Sequence, residues 1–186
     1  MAANPPVQGK QGSDTSAGAM ARGQTPGHGQ KCHVPSVELG AVEGFSFSTR
    51  VRVRFADTDA QGIAHNASYL VWFEVARVEY LRAFTGGYQA LRDRGLEALV
   101  LESFCRYRVP ARFDDELDVH ARCVGLRGAR FRFEYALARG GEVVAEGWTA
   151  HATVDAATLR PTRVPDWLAG AIRRAESSSA PAPSSS

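Results

Sequence analysis

The sequence predicts an α+β domain in which one antiparallel sheet of about five strands wraps a single long helix. Three observations predict it. Residues Phe45 to Phe55 alternate apolar and polar, Ala67 to Phe84 repeats its apolar residues at spacings of three and four, and strand-like stretches separated by short turns follow to the end of the domain.

In the first strand Phe45, Phe47, Thr49, Val51, Val53 and Phe55 face one way, and Ser46, Ser48, Arg50, Arg52 and Arg54 the other. The arginine face reads as solvated, with a cationic patch as its functional alternative. The helix carries Leu70, Phe73, Ala76, Tyr80, Leu81 and Phe84 on one side, and Val71, Trp72, Val75 and Val78 spread the apolar surface nearly all round. A helix of that kind is surrounded by protein. Gly86-Gly87 ends it. A short amphipathic piece, Tyr88 to Arg94, closes at Gly95, and strands are predicted over Leu99 to Val109, Glu116 to Arg127, Ala129 to Arg139 and Glu142 to Asp155. Pro110 stops the first of these, Gly128 marks a turn, and Gly140-Gly141 is a two-residue hairpin signal. Short turns predict antiparallel neighbours throughout. Open strand edges predict a homodimer that closes them.

Residues 1–44 hold few large apolar side chains and read as a tail that cannot offset the entropy of ordering. The domain is expected over 45–172, with a short helix around Asp166 to Ala171 at its end. Residues 173–186, including the Ser177 to Ser186 run, read as a second tail.

At 186 residues and 44% hydrophobic composition the chain suits one domain with an ordinary core. The net charge of +2, with basic residues dispersed among acids, argues against a nucleic-acid partner. Three cysteines, Cys32, Cys105 and Cys123, form no CxxC pair, which excludes a disulfide framework or zinc ribbon and suits reduced thiols in the cytoplasm. His28, Cys32 and His33 lack a further ligand at matching spacing, so no metal is expected. No run approaches the ~18 apolar residues of a membrane span.

The chemistry concentrates between the first strand and the helix, in Asp57-Thr58-Asp59-Ala60-Gln61-Gly62-Ile63-Ala64-His65-Asn66. Carboxylates, a histidine and an asparagine meet there at a helix N-terminus, whose free N–H groups favour developing negative charge. That combination suits reaction at a carbonyl. The same residue types also build ordinary turns and caps.

The string Arg54 to Tyr69 with the helix behind it resembles the 4-hydroxybenzoyl-CoA thioesterase type of hot-dog acyl-CoA thioesterases, including the bacterial thioesterases encoded beside Tol-Pal genes. The likeness runs from about Phe45 to Leu168 and includes Val109-Pro110-Ala111-Arg112-Phe113-Asp114-Asp115-Glu116-Leu117. It implies a hot-dog fold, a homodimer or dimer of dimers with sites at the subunit interface, and hydrolysis of an acyl-CoA without metal or organic cofactor. It places the catalytic carboxylate on Asp59 and the oxyanion-hole N–H near His65 or Asn66, with Gly62, Ile63 and Tyr69 lining the substrate. Relatives often carry Tyr-His or Trp-Tyr where this chain has His65-Asn66, so a catalytic and a capping histidine both stay open. Asp57 is expected to hold the turn, and Cys105 and Cys123 to fill the core. Ser103 is a candidate approach from the second strand. Arg112, Arg127 and Arg130, with Arg106 and Arg108 behind them, are the candidates for the CoA phosphates. Two other functions fit the fold: an enoyl-CoA hydratase using an Asp and His pair, and a non-catalytic acyl-CoA or acyl-carrier binding module.

Overall fold

The computed structural model describes residue 42 and residues 44–178. Strand β1 spans Phe47–Arg52, helix α1 Asn66–Thr85, helix α2 Gly87–Arg92, strand β2 Leu96–Tyr107, β3 Glu116–Arg127, β4 Arg130–Arg139, β5 Glu142–Asp155 and helix α3 Asp166–Ser177. The five strands form one antiparallel sheet in the order β1-β3-β4-β5-β2, wrapped around α1, which is the expected hot-dog arrangement.

Phe73 stacks on Tyr135 of β4 at 4.4 Å between ring centroids, and Tyr80 meets Phe133 edge-on at 5.1 Å. Trp72, Ala76 and Leu81 complete the buried face. Each large side chain removed from water contributes about 1.5 to 3 kcal/mol. Gly86 closes α1 in the left-handed conformation at φ +83°, which a glycine adopts without strain.

The predicted neighbour relations need one correction. Strand β2 pairs with β5 at the edge of the sheet and is separated from β3 by two strands. The connection through Pro110 does not fold back as a hairpin. It crosses the end of the sheet under the loop before α1, where Ala64 N–H donates to Ala111 O. Strand β2 also starts earlier than predicted, directly after Gly95, and carries a bulge at Leu101. Phe55, expected on the apolar face of β1, is 79% exposed: the chain has left the strand for a 3-10 turn, and the ring meets Phe113 edge-on. The arginine face of β1 is spent on β3 and its preceding turn, Arg50 with Asp118 and Arg52 with Asp114 and Glu116, which removes it as a phosphate patch.

The C-terminal boundary also moves. Helix α3 continues past residue 172 to Ser177 because its apolar stripe of Leu168, Ile172 and Ala175 extends into that turn. Glu176 is held at its end, accepting hydrogen bonds from Tyr80 Oη at 2.5 Å, Cys123 N at 2.9 Å and Ser46 Oγ at 3.0 Å. A residue placed in the expected tail therefore ties α3 to α1 and β3. Replacing it leaves buried donors without an acceptor, so Glu176→Ala is expected to cost about 2 kcal/mol in urea unfolding, whereas Ser178→Ala should be silent. The expected tail over 1–44 lies outside the described residues except for Val42 and Gly44; Gly44 O accepts Arg122 Nη1 at 3.0 Å. His28, Cys32 and His33 also lie outside them.

Between α1 and the sheet runs a buried polar track. Arg77 Nε donates to Tyr88 Oη at 2.8 Å, and Thr149 Oγ1 bonds both Tyr135 Oη and His151 Nε2 at 2.8 Å. Burial, and then the nearby Arg77 cation, push the His151 pKa down to about 3. The unfolded chain takes up this proton as pH falls through about 6.5, but the folded chain does not until about 3. Stability is therefore whole above pH ~6.5 and is lost on acidification across that window, by up to about 1.4 kcal/mol per pH unit. His151→Phe should flatten denaturant midpoints between pH 6.5 and 4.5 relative to the parent, whatever its stability at neutral pH.

Candidate active site

The loop between β1 and α1 is built on Asp57. Its Oδ2 accepts from Arg54 N at 2.9 Å and Arg54 Nε at 3.0 Å, and its Oδ1 from Arg54 Nη2 at 2.7 Å. The guanidinium holds the Asp57 carboxyl below the usual carboxylate range. This is the turn-holding role expected of it, exerted more through Arg54's fork than through backbone N–H groups. The Asp57 carbonyl in turn accepts from His65 N at 2.8 Å and Ser68 Oγ at 3.0 Å.

A tighter turn then presents Asp59. Asp59 N donates to Ile63 O at 2.9 Å and Gly62 N to Asp59 O at 3.0 Å, closing a loop that Gly62 enters at φ +72°. Only glycine takes that angle freely, so Gly62 shapes the turn. The Asp59 carboxylate accepts Gln61 N on Oδ1 at 2.8 Å; Oδ2 has no partner among the described residues.

At the start of α1, His65 is the cap. Its Nδ1 accepts Ala67 N at 3.2 Å, and its carbonyl accepts Ser68 N at 2.9 Å. An accepting Nδ1 assigns the proton of the neutral ring to Nε2. The amides of Ala67 and Ser68 are spent, and the Asn66 N–H finds no acceptor among the described residues.

A cleft of about 550 Å³ opens at this place, lined by Asp59, Gln61, Ile63, His65, Asn66 and Tyr69 from the loop and helix, and by Tyr107, Arg108, Val109 and Pro110 from the end of β2. Tyr107 Oη donates to Asn66 O at 3.1 Å, and Tyr69 Oη accepts Ala111 N at 3.3 Å, so the two walls are bonded to each other. Of the residues expected here, Asp59, His65, Asn66, Ile63 and Tyr69 come together, while Gly62 is exposed and not part of the lining.

The arginines divide. Arg112 is exposed on the crossing connection next to the cleft, its N–H bonded to Asp115. Arg127 and Arg130 flank the β3–β4 hairpin at the other end of the sheet, roughly 35 Å along β3 from Glu116. Arg127 lies beside Arg163 and Arg173, and Arg130 beside Glu102 and Arg132. Neither reaches Asp59 of the same chain. Ser103 is exposed on β2 and does not line the cleft. Tyr107, which sequence reasoning missed as a site residue, enters only because β2 sits at the far edge of the sheet. Among the described residues no cluster of His, Cys, Asp and Glu is arranged to hold a metal ion.

Residues 53–172 match the family model of the thioesterase-like superfamily. The chain belongs to that superfamily. The acyl-CoA thioesterase YbgC of Haemophilus influenzae is 37% identical over 123 residues, 66% of this chain and 89% of that protein. A thioesterase of Thermus thermophilus, solved in complex with coenzyme A and Zn, superposes with a TM-score of 0.64 at 30% identity, covering 73% of this chain and 97% of that one. A crystal structure of an Aquifex aeolicus protein gives a TM-score of 0.64 at 35% identity over 68% of this chain and 98% of its own. The superfamily match begins at Val53 and so takes in the whole Asp57–Asn66 loop together with α1 and the sheet from β2 onward.

Proposed function

We propose that this thioesterase-like chain hydrolyses an acyl-CoA to the free acid and coenzyme A, with Asp59 as the catalytic carboxylate and the Asn66 N–H as the oxyanion donor. One observation carries the residue assignment: a carboxylate with a free oxygen and a helix N-terminal amide with no acceptor among the described residues line the same cleft. Superfamily membership and the likeness to YbgC support the reaction.

Asp59 acts in one of two ways. Its free oxygen adds to the thioester carbon, giving an anhydride that water opens, or it takes a proton from the water that adds. In both, the carbonyl oxygen gains negative charge, which the Asn66 N–H and the positive end of α1 stabilise. The C–S bond then breaks and the thiolate leaves with the electron pair; in the general-base route the acyl carbon keeps the water oxygen, and in the anhydride route it keeps an Asp59 oxygen until water opens the anhydride, releasing the acid and regenerating the carboxylate. His65 serves by capping the turn that aims Asn66. The acyl-CoA phosphates meet a cation at Arg112, with Arg108 beside it already paired to Glu146 at 2.6 Å, and Arg127 and Arg130 contribute only from a second copy of the chain.

The active form is a homodimer. Val100 and Leu101 on the edge strand β2 are 48% and 45% exposed, and Val71 on α1 is 52% exposed, apolar surface that a second copy would cover. Light scattering that finds only monomer at micromolar concentration would overturn the dimer. Among the described residues no helix is long and apolar enough to cross a membrane, and Cys105 and Cys123 are free thiols, which suits a reducing cytoplasm. The function is tested by thiol release from a panel of acyl-CoAs. Release with at least one member is the expected result; tight binding without release would favour the binding module.

A further inference from the structure

We infer that Ser68 is a positioning residue that sets the spacing between the Asp59 carboxylate and the Asn66 N–H. The inference rests on the site proposed above. The two proposed catalytic groups belong to different pieces of backbone: Asp59 to the turn after the 3-10 segment, Asn66 to the first position of α1. Something must fix one against the other, because a misplacement of about 1 Å between reacting groups can cost on the order of 100-fold in rate.

Ser68 is bonded to both pieces. Its Oγ donates to Asp57 O at 3.0 Å, two residues before Asp59, and its N–H donates to His65 O at 2.9 Å. The His65 carbonyl and the Asn66 N–H are the two ends of one planar peptide group, so the bond to that carbonyl orients the proposed oxyanion donor directly. The Asp57 carbonyl also accepts His65 N at 2.8 Å. Asp57 O, His65 and Ser68 thus form a closed set in which the residue ahead of Asn66 is held at its N–H and at its C=O. Of these bonds only the one from Ser68 Oγ is made by a side chain.

The far side of the set is anchored as well. The Asp57 carboxylate is clamped by Arg54, and Thr58 bridges Ala64 in antiparallel fashion, so the turn carrying Asp59 has little freedom once the Asp57 carbonyl is fixed. Removing the Ser68 hydroxyl leaves His65 N as the sole donor to the Asp57 carbonyl among the described residues, so the loop is held to the helix end less rigidly. The Ser68 side chain touches the geometry of the site through the backbone, and it is absent from the cleft lining.

The separating experiment compares Ser68→Ala, Ser68→Thr and Asp59→Asn in the full chain, measuring kcat and KM with the best acyl-CoA of the panel and recording melting temperature. Ser68→Ala is expected to lower kcat by about 10- to 100-fold with KM changed less than about 3-fold, and Ser68→Thr, which keeps the hydroxyl, to restore most of the loss. A purely structural serine would lower melting temperature and active fraction but leave kcat per folded molecule near the parent. Parent-like kcat in folded Ser68→Ala, with Asp59→Asn inactive, overturns the positioning role alone. Parent-like kcat in Asp59→Asn overturns the site on which it rests. A kcat loss that Ser68→Thr fails to restore while melting normally also overturns it, because the hydroxyl would then not be the operative group.

Discussion

Asp59→Asn is expected to lower kcat at least about 100-fold while fold, melting temperature and assembly stay as in the parent. The amide keeps the size of the carboxylate, and its oxygen can still accept the hydrogen bond from Gln61 N, so the turn closed by Asp59 and Ile63 survives. What is lost is the anionic oxygen, Oδ2, that has no partner among the described residues. An amide neither adds to a thioester carbon at a useful rate nor accepts a proton from water, so both routes open to Asp59 close together. A loss of about 100-fold corresponds to about 2.7 kcal/mol of transition-state stabilisation. The effect should fall on kcat with KM nearly unchanged, since the cleft walls from Tyr69 and Tyr107 to Pro110 are untouched. Steady-state thiol release, with circular dichroism and light scattering on the same sample, checks all three parts. Turnover close to the parent would remove Asp59 from the chemistry.

The site was legible in the sequence where its geometry is local. Asp57, Asp59, Gly62, His65 and Asn66 follow one another closely, and turn chemistry, a helix start and a cap each leave a mark at short range. The opposite wall left none. Tyr107 and Arg108 join the cleft because β2 pairs with β5 at the sheet edge, and that choice depends on pairing between residues far apart in sequence, such as Leu99 with Ala152. Alternation within β2 predicts a strand and is silent about its neighbour. The same holds for Ser68: the sequence shows a residue in a helical first turn, and its bond to the Asp57 carbonyl exists only once the loop has folded back.

The errors have a common physical origin. Phe55 continues the apolar alternation of β1, yet hydrogen bonding turns the chain before it: Thr58 N donates to Phe55 O, and Asp57 is clamped by Arg54. Glu176 comes shortly after the pair Arg173-Arg174 and directly before a serine run, so composition points to a tail, while its three hydrogen bonds are all to residues distant in sequence. The helix α1 reads as apolar all round in the sequence, and in the single chain Leu70, Val71 and Val75 remain substantially exposed. An all-round apolar helix with one open stripe is the pattern expected of a face that a second copy covers, and this links the pattern of α1 to the proposed homodimer.

The second large effect is expected at Gly147. A Cβ there would strike the Phe104 carbonyl of β2 and approach the Phe73 ring to 2.6 Å, so neither neighbour is the far end of a flexible chain. Gly147 pairs with Cys105 in β2 and Tyr135 in β4, within the sheet, and Phe73 lies over it in contact with Tyr135. Its backbone angle is ordinary; the demand is for space, since the Phe104 carbonyl of β2 and the Phe73 ring of α1 both sit closer here than a side chain permits. Gly147→Ala must push Phe73 off Tyr135 or spread β2 from β5, and over-packing of this kind costs about 3 kcal/mol, or roughly 10 °C in melting temperature for a domain of this size. Activity should fall as well, because Phe73 lies about two turns from Asn66 on the same helix and any outward shift of α1 carries the proposed oxyanion donor away from Asp59. Combining Gly147→Ala with Phe73→Leu, which vacates the ring, should recover part of the stability, and this non-additivity separates steric displacement from a general loss of sheet quality. Strict additivity of the two substitutions in urea unfolding would remove the Phe73 ring from the cause and leave the Phe104 carbonyl of β2 as the clash.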